Sequence, residues 1–314
     1  MPSGYDALRA AAAWLDLSAR GRIYAGGEDR ARLLHAMTTN HVQQLTPGTG
    51  CYAFLLNAQG HILADVNLLC LEDRFLLDTE PETRERVLRH LDKYIIADDV
   101  ALEDATALLA SVAVEGPHAA DALAAVGAPA LDAEYAYASW AGGIVERASE
   151  TGEPGFRIFM PAEAKTDWVA RLESAGAVQA TPDEARIVRL EHGKPRYGED
   201  IFDTTLPQET SQMHAVHFAK GCYIGQEIVE RIRSRGHVNR LLVKLEVEGE
   251  APVAGGTKVT AGAAEAGEIT SSAFSPALGK VVALAYMRAQ YAVDATVLQA
   301  GGRAAVAVSA DRAK

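Results

Sequence analysis

The residues with the clearest chemical potential surround Cys222, in the segment Lys220-Gly221-Cys222-Tyr223-Ile224-Gly225-Gln226-Glu227. The residues after Glu227 predict a helix through Ile232. A cysteine just before or inside the first turn of a helix faces the positive end of the helix dipole, where the thiolate is favoured. Five cations and two carboxylates occur between positions 220 and 240: Lys220, Arg231, Arg233, Arg235 and Arg240, with Glu227 and Glu230. The segment therefore predicts a reactive thiol beside a surface that attracts anionic ligands.

Each of these features also has a simpler explanation. A free cysteine is most often a small, buried and inert apolar group, and a run of basic residues is most often a solvated helix face. Arg231, Arg233 and Arg235 would point in different directions on a regular helix, which favours a loop after Ile232. Three nearby histidines could assist a thiol nucleophile, although core or surface positions are the commoner use of such residues: His214, His217 and His237.

Composition excludes several classes of function. The chain has 314 residues and a net charge of −12, so it repels polyanions as a whole and we expect no direct nucleic-acid partner. Its three cysteines lack Cys-x-x-Cys spacing, which favours a reducing compartment and predicts no resident metal site. The longest apolar run, 105–114, is about half the ~20 residues of a membrane span and is predicted to be a buried strand. With no secretory signal pattern at its start, the protein is predicted to be cytoplasmic, without a membrane partner.

The first part of the chain is predicted to mix helices with an antiparallel meander. The predicted elements are a helix from Asp6 to Leu17 capped by Asp6, a strand at 22–25, a helix at 29–37, and strands at 51–56, 62–71 and 74–77. Thr79-Glu80-Pro81-Glu82 has the pattern of a capping box with proline at the first helical position. A helix should follow it and cover one face of the meander.

A second round of strands and helices is predicted between about 100 and 192. One helix should run from near Pro161 to Gly176, and another should begin at the capping box Thr181-Pro182-Asp183-Glu184. Residues 194–212 are polar and lack a clear period, so we expect an irregular loop that lines a pocket. From Arg240 onward, alternating apolar residues and glycine-rich turns predict a small β-barrel or sandwich.

The segment from Lys220 to Glu227 resembles the signature of the YgfZ-type folate-binding proteins, which share the fold of the glycine-cleavage T-protein, a tetrahydrofolate-dependent aminomethyltransferase. Other segments resemble blocks of this family in the same order: Thr38-Thr39-Asn40 with Pro47-Gly48, Leu56-Asn57-Ala58-Gln59-Gly60, Tyr197-Gly198-Glu199-Asp200-Ile201, Leu206-Pro207-Gln208-Glu209, and Thr270-Ser271-Ser272 with Ser275-Pro276. The octapeptide is quite specific, whereas each of the other blocks is weak by itself.

The resemblance implies an α+β, three-lobed fold with antiparallel sheets, helices and a C-terminal β-barrel. Residues 1–239 would form the folate-binding region, as two interleaved lobes divided near 48 and 116, and residues 240–314 would form the barrel. Tetrahydrofolate or a one-carbon derivative would occupy a central cavity. The resemblance assigns catalytic roles to Cys222 and Asp65, and folate contacts to Asn57, Glu153, Tyr197, Lys220, Gln226, Glu227, Arg231 and Arg235.

Two positions depart from the transferase pattern. The segment Gly60-His61-Ile62-Leu63-Ala64-Asp65 has alanine where the transferases carry the first member of an acidic pair, so only Asp65 remains. Its carboxylate could accept a pterin N–H or hold a reacting nitrogen, or it could be a surface strand residue. Arg157 stands where the transferases usually have glutamate, so any ligand group facing it must differ in polarity. Glu153 remains a candidate contact, with turn capping as its alternative.

The resemblance therefore implies a folate-binding accessory protein. It would support the assembly or repair of iron–sulfur enzymes, including those of transfer-RNA thiolation, through Cys222 at the rim of the folate pocket, with iron–sulfur client or assembly proteins as partners. One alternative is a tetrahydrofolate-dependent one-carbon transferase of the aminomethyl type. Another is a non-enzymatic scaffold in which only the surface around Cys222 matters.

Overall fold

A computed structural model describes residues 3–236 and 238–308. The helices are α1 (Gly4–Ala10), α2 (Arg30–Met37), α3 (Arg84–Asp92), α4 (Ala119–Ala125), α5 (Lys165–Ser174), α6 (Pro182–Glu191) and α7 (Gln226–Arg235). The strands are β1 (Ala13–Asp16), β2 (Gly21–Gly26), β3 (Thr49–Leu56), β4 (Ile62–Cys70), β5 (Arg74–Thr79), β6 (Ala101–Asp104), β7 (Leu109–Glu115), β8 (Tyr137–Trp140), β9 (Gly143–Glu146), β10 (Gly155–Pro161), β11 (Val178–Gln179), β12 (Arg240–Val247), β13 (Lys258–Ala261), β14 (Ala264–Ser275), β15 (Lys280–Arg288), β16 (Val297–Ala300) and β17 (Arg303–Val308).

The predicted meander forms three adjacent strands, from the edge strand β3 to β5, of a five-stranded sheet with the order β3-β4-β5-β2-β6. Its three strands are joined by short turns, which favour antiparallel neighbours. Helices α2 and α3 cover one face, where Leu34 and Leu91 are fully buried against strand residues such as Leu68. The meander and its covering helix are therefore confirmed. The capping box expected at Thr79 is wrong, because Thr79 ends β5 and α3 begins at Arg84 after a 3-10 turn, Pro81–Thr83, without a side-chain cap.

A six-stranded sheet with the order β11-β1-β7-β10-β9-β8 lies next to the first sheet. Helices α4 and α5 pack on it through Leu123 and Trp168. The two sheets meet where Leu69 and Leu76 of the first contact Phe159 of the second. This contact fixes the relative position of the two sheets and so shapes the space between them.

The last six strands close into a barrel with the order β12-β15-β14-β13-β16-β17. Alternate residues of the strands fill its interior, among them Leu245, Ile269 and Met287. Helix α6 joins the barrel to the rest of the molecule, because Leu190 packs against Leu242 and Leu284 on the outside of the barrel. The predicted α+β class and the C-terminal barrel are confirmed.

Several local predictions are wrong in their bounds. Helix α1 ends at Ala10 and the chain then forms β1, which pairs with β7, so a tertiary contact overrides the helical preference of the alanine-rich segment. Its N-cap is Ser3, and Asp6 is the third helical residue of a capping box. The predicted strand at 105–114 begins only at Leu109.

The helix after the octapeptide is longer than predicted. Helix α7 continues through the arginine-rich segment to Arg235 and ends at Gly236, whose φ of 68° is the left-handed conformation that suits glycine. The loop that we expected after Ile232 is therefore wrong. His237 and the side chain of Arg235 lie outside the described residues.

The capping box at Thr181 is confirmed, since its hydroxyl accepts a hydrogen bond from the backbone N–H of Glu184. In the two described ranges, no helix is long and apolar enough to cross a membrane.

Candidate functional site

A cavity of about 1180 Å³ lies between the two sheets and the start of α6. Strands β3 and β4 contribute Tyr52, Asp65 and Asn67 to its wall, and residues 147–155 contribute a second side. The irregular segment after α6 contributes a third side, which agrees with its prediction as a pocket-lining loop. The volume is that of a site for a ligand of cofactor size.

Asp65 presents a carboxylate to this cavity although the residue is only 8% exposed. Tyr52 Oη donates a hydrogen bond of 2.8 Å to its Oδ2, whereas Oδ1 is buried without a hydrogen-bond partner. Burial and the nearby charge of Glu80 raise the pKa of Asp65 to about 6. Asp65 is therefore a proton-holding group with one oxygen available to a ligand.

Glu80 is a second carboxylate of the cavity wall, and no motif in the sequence indicated it as a site residue. The β4–β5 register pairs Val66 with Thr79, so the next position along the ladder sets Asp65 opposite Glu80. Its Oε1 accepts a hydrogen bond from Arg20, and its Oε2 lies 2.8 Å from Arg196. The predicted hairpin register was the signal that could have identified it.

Arg157 belongs to a buried network of ion pairs beneath the cavity. Its guanidinium donates to Asp78 at 2.8 Å and to Glu150, and lies 3.7 Å from Glu146. Arg20 shares Asp78, at 2.7 Å. Since its two terminal nitrogens donate to these carboxylates, Arg157 organises the floor of the cavity.

The carboxylates of this network differ in charge state. Burial opposes ionisation of Glu150, but Arg157 and Arg20 more than offset it and hold the pKa of Glu150 well below its usual range. Burial raises the pKa of Glu146 to about 7, and both of its oxygens lack a hydrogen-bond partner. Glu150 at the cavity wall therefore stays ionised, whereas Glu146 behind it is easily protonated.

Glu153 also lines the cavity, as predicted for a folate contact. Its carboxylate lies 3.1 Å from His192 Nε2 and 3.7 Å from Arg9. These side chains hold its carboxylate, which does not act as the turn cap considered above.

Lys220 contacts helix α2. Its buried ammonium donates to the carbonyl oxygens of His35 and Thr38, the latter at 2.5 Å, at the C-terminal end of that helix. Desolvation lowers the pKa of Lys220 to about 7, while the carbonyls and the negative end of the helix dipole favour its charged form. Lys220 thus fixes the octapeptide to α2 and lies outside the described cavity wall.

The glycine at position 225 joins the octapeptide to the β3–β4 hairpin. Gly225 has a φ of 83°, and a Cβ there would lie 2.6 Å from the carbonyl oxygen of Asn57. The Asn57 Oδ1 accepts hydrogen bonds from the backbone N–H groups of Gln59 and His61, so its side chain shapes the hairpin turn. Two segments of the family resemblance therefore meet here, outside the cavity wall.

Cys222 is exposed, whereas Cys51 and Cys70 are buried. The thiol precedes the N-cap of α7, Gly225, by three residues and is outside the described cavity wall. The remaining predicted contacts whose side chains the structure describes are also outside that wall. Tyr197 Oη accepts from Arg86, Gln226 Oε1 accepts from the backbone N–H of Tyr223, and Glu227 pairs with Arg231 at 2.6 Å on the surface of α7.

The structure thus brings Asp65 and Glu153 together in one cavity and places the octapeptide elsewhere. Among residues 3–236 and 238–308, no cluster of three or more histidine, cysteine or acidic side chains could hold a metal ion.

Comparison with known proteins identifies the family that has this architecture. Residues 3–220 match the GCVT N-terminal domain, and residues 240–312 match the glycine cleavage T-protein C-terminal barrel domain. The chain is 33% identical to the aminomethyltransferase of Rubrobacter xylanophilus, over 90% of this chain and 78% of that one. It is 31% identical to the aminomethyltransferase of Streptomyces coelicolor, over 92% and 82% of the two chains.

The crystal structure of glycine cleavage system aminomethyltransferase T from Bartonella henselae has the same fold. Its TM-score is 0.89 at 24% identity, over 98% of this chain and 87% of that one. The chain belongs to the glycine cleavage T-protein family.

Proposed function

We propose that the protein binds tetrahydrofolate, or a one-carbon derivative of it, in the central cavity and catalyses one-carbon transfer of the aminomethyl type. The observation that carries the proposal is the buried Asp65 carboxylate, whose Oδ1 has no hydrogen-bond partner and which lines a cavity of about 1180 Å³. The curated relatives are aminomethyltransferases, which supports the same class of reaction.

The residues present fit such a ligand. When bound, tetrahydrofolate supplies the nitrogen atoms that carry a one-carbon group. Asp65 accepts a proton at Oδ1 or returns it there, and a pKa raised to about 6 leaves it able to do both near neutral pH. Tyr52 orients the carboxylate through Oδ2, and Glu80 favours its protonated form. The surrounding protein excludes bulk water from this oxygen.

Two measurements test the proposal. Calorimetric titration of 5-formyl-tetrahydrofolate should show saturable binding, and incubation of tetrahydrofolate with an aminomethyl donor should form methylene-tetrahydrofolate. Asp65→Asn should retain binding within about tenfold and lose turnover. Asp121→Asn, on the exposed face of α4, is the control and should match the wild type. Absence of saturable binding in the wild type would reject the proposal.

A second function is favoured by two specific observations. Ala64 and Arg157 depart from the transferase pattern, and the thiol of Cys222 is exposed within the segment that resembles the YgfZ-type signature. We propose as the alternative a folate-binding accessory protein that supports iron–sulfur cluster assembly or repair, with client or assembly proteins as partners. Binding of 5-formyl-tetrahydrofolate without turnover would favour this alternative.

Complementation separates the accessory function from a pure scaffold. In cells that lack the protein, Cys222→Ala should fail to restore an iron–sulfur enzyme if the exposed thiol is needed. A variant with a blocked cavity should fail as well if folate is required. Restoration by the blocked variant, together with failure of Cys222→Ala, would support the scaffold.

A further inference from the structure

Glu150 is a carboxylate of the cavity wall whose pKa lies well below its usual range and whose side chain a ligand can reach. We infer that Glu150 binds the donor edge of the pterin ring, formed by N3–H and the 2-amino group, and so selects a pterin over other bicyclic ligands. This inference rests on the proposed binding of a reduced folate in the cavity. It assigns to Glu150 the recognition that the arginine at position 157 cannot supply.

The geometry of Glu150 suits this role. Its Oε1 accepts from Arg157, and its Oε2 lies 3.6 Å from Arg20. Both guanidinium groups are themselves fixed by the buried Asp78. A carboxylate has about four acceptor positions, so lone pairs remain on both oxygens. The side chain is 22% exposed and lines the cavity, so a ligand can reach those lone pairs.

The chemistry of the ligand matches a carboxylate. A pterin presents two adjacent N–H donors at N3 and at its 2-amino group, and a carboxylate accepts such a pair with its two oxygens. Arg157 has donors only and would repel this edge. Because Arg157 instead pairs with Glu150, its effect on the ligand passes through that carboxylate. Arg157 is therefore a positioning residue for Glu150.

Other carboxylates of the wall are less suitable, and Glu199 is already bound by Arg186 and Arg189. Glu80 already contacts Arg20 and Arg196, and its side chain is 10% exposed. Glu153 is held by His192 and Arg9, and its side chain is 12% exposed. Asp65 has a raised pKa, and the proposed reaction requires it to hold a proton.

The test combines a substitution in the protein with a change in the ligand, in the manner of a double-mutant cycle. Calorimetry measures the affinity of the wild type and of Glu150→Gln for 5-formyl-tetrahydrofolate and for its 2-desamino-2-methyl analogue. The substitution should weaken binding of the parent ligand by about 10- to 100-fold, because it removes a charged acceptor. It should change binding of the analogue by less than about threefold. Thermal melting of both proteins checks that the variant is folded.

The outcomes separate the two proposals. If the wild type does not bind the parent ligand, the proposed function itself fails. If it binds, but Glu150→Gln weakens both ligands equally, Glu150 does not recognise the 2-amino edge and the inference is overturned. Glu153→Gln is the matched comparison from the same wall and should show equal effects on both ligands. A selective loss in Glu153→Gln would assign the edge to that residue instead and would also overturn the inference.

Discussion

Replacing Arg157 with methionine would remove the cation that the buried Asp78 and Glu146 share with the half-buried Glu150. The side chain of Arg157 is 3% exposed, and its partners Asp78 and Glu146 are 1% and 0% exposed. Methionine preserves most of the volume of the aliphatic stem but leaves the carboxylates without this partner. The substitution therefore tests whether the network stabilises the fold or only occupies space.

The expected cost is large because one partner of a buried pair is removed. Such changes cost about 3–5 kcal/mol in free energy of unfolding, since an uncompensated charge stays in the interior. Arg231→Met is the control, because it breaks a pair of 2.6 Å in which both side chains are exposed, 48% and 83%. An exposed pair contributes less than about 1 kcal/mol. Burial and the number of partners, three carboxylates for Arg157 against one for Arg231, separate the two expected values.

The cost should also depend on pH. In the wild type the pKa of Glu150 lies well below 4.5, so its ionised form contributes stability that is complete above that pH and declines as the pH falls further. In Arg157→Met this contribution is reduced, because only Arg20 and Lys194 still favour ionised Glu150, and the carboxylates take up protons at higher pH. The difference between the proteins should therefore be largest at neutral pH and should narrow towards acid.

Urea unfolding followed by circular dichroism between pH 4 and pH 7 measures both effects. The midpoint should fall in Arg157→Met with little change in the slope of the free energy against urea. A loss below about 1 kcal/mol at pH 7, or a loss that is the same at every pH, would show that the ion pairs do not stabilise the fold.

Three further predictions follow from the same contacts. Asp65→Asn should gain stability relative to the wild type as the pH rises through about 6, by up to about 3 kcal/mol, because the wild type must then bury a charge. Urea unfolding at two pH values measures this gain, and a difference in unfolding free energy that does not change with pH would contradict it. Lys220→Met should lower the unfolding free energy by about 2 kcal/mol by removing two hydrogen bonds at the end of α2, measured by thermal melting with Lys258→Met on the exposed barrel surface as control. Iodoacetamide should label Cys222 first in the folded protein, because Cys222 is exposed and burial raises the pKa of Cys51 to about 12. Mass spectrometry identifies the labelled cysteine, and faster labelling of Cys51 would contradict the structure.

Local patterns predicted the elements well where neighbouring residues decide the structure. The meander, the capping box at Thr181 and the barrel follow from turns and alternation that a short window contains. The segment from Ala11 to Leu17 shows the limit of this approach. Its composition favours a helix, but β1 forms there because β7, about 100 residues further along the chain, provides a pairing partner.

The candidate site was harder to predict because its side chains are distant in sequence. Asp65 and Glu153 were identified from short motifs, and both line the cavity. Glu150 was missed because its ionised state depends on Arg157 and on Arg20, and Arg20, 130 positions away, lies near it only in the folded chain. Lys220 was expected near the ligand because of its charge, but burial against α2 determines its role.

The loss of an acidic residue at position 64 changes the cavity less than the sequence suggested. The first expectation was that one carboxylate remains, since the adjacent acidic pair is reduced to Asp65. The β4–β5 register sets Glu80 opposite Asp65, and the charge of Glu80 helps to raise the pKa of Asp65. Two carboxylates therefore influence the same proton, although one of them comes from the neighbouring strand. Ala64 by itself is then weak support for a protein without transferase activity. Arg157 changes the polarity of the cavity floor, so it is the departure from the transferase pattern with the larger consequence for function.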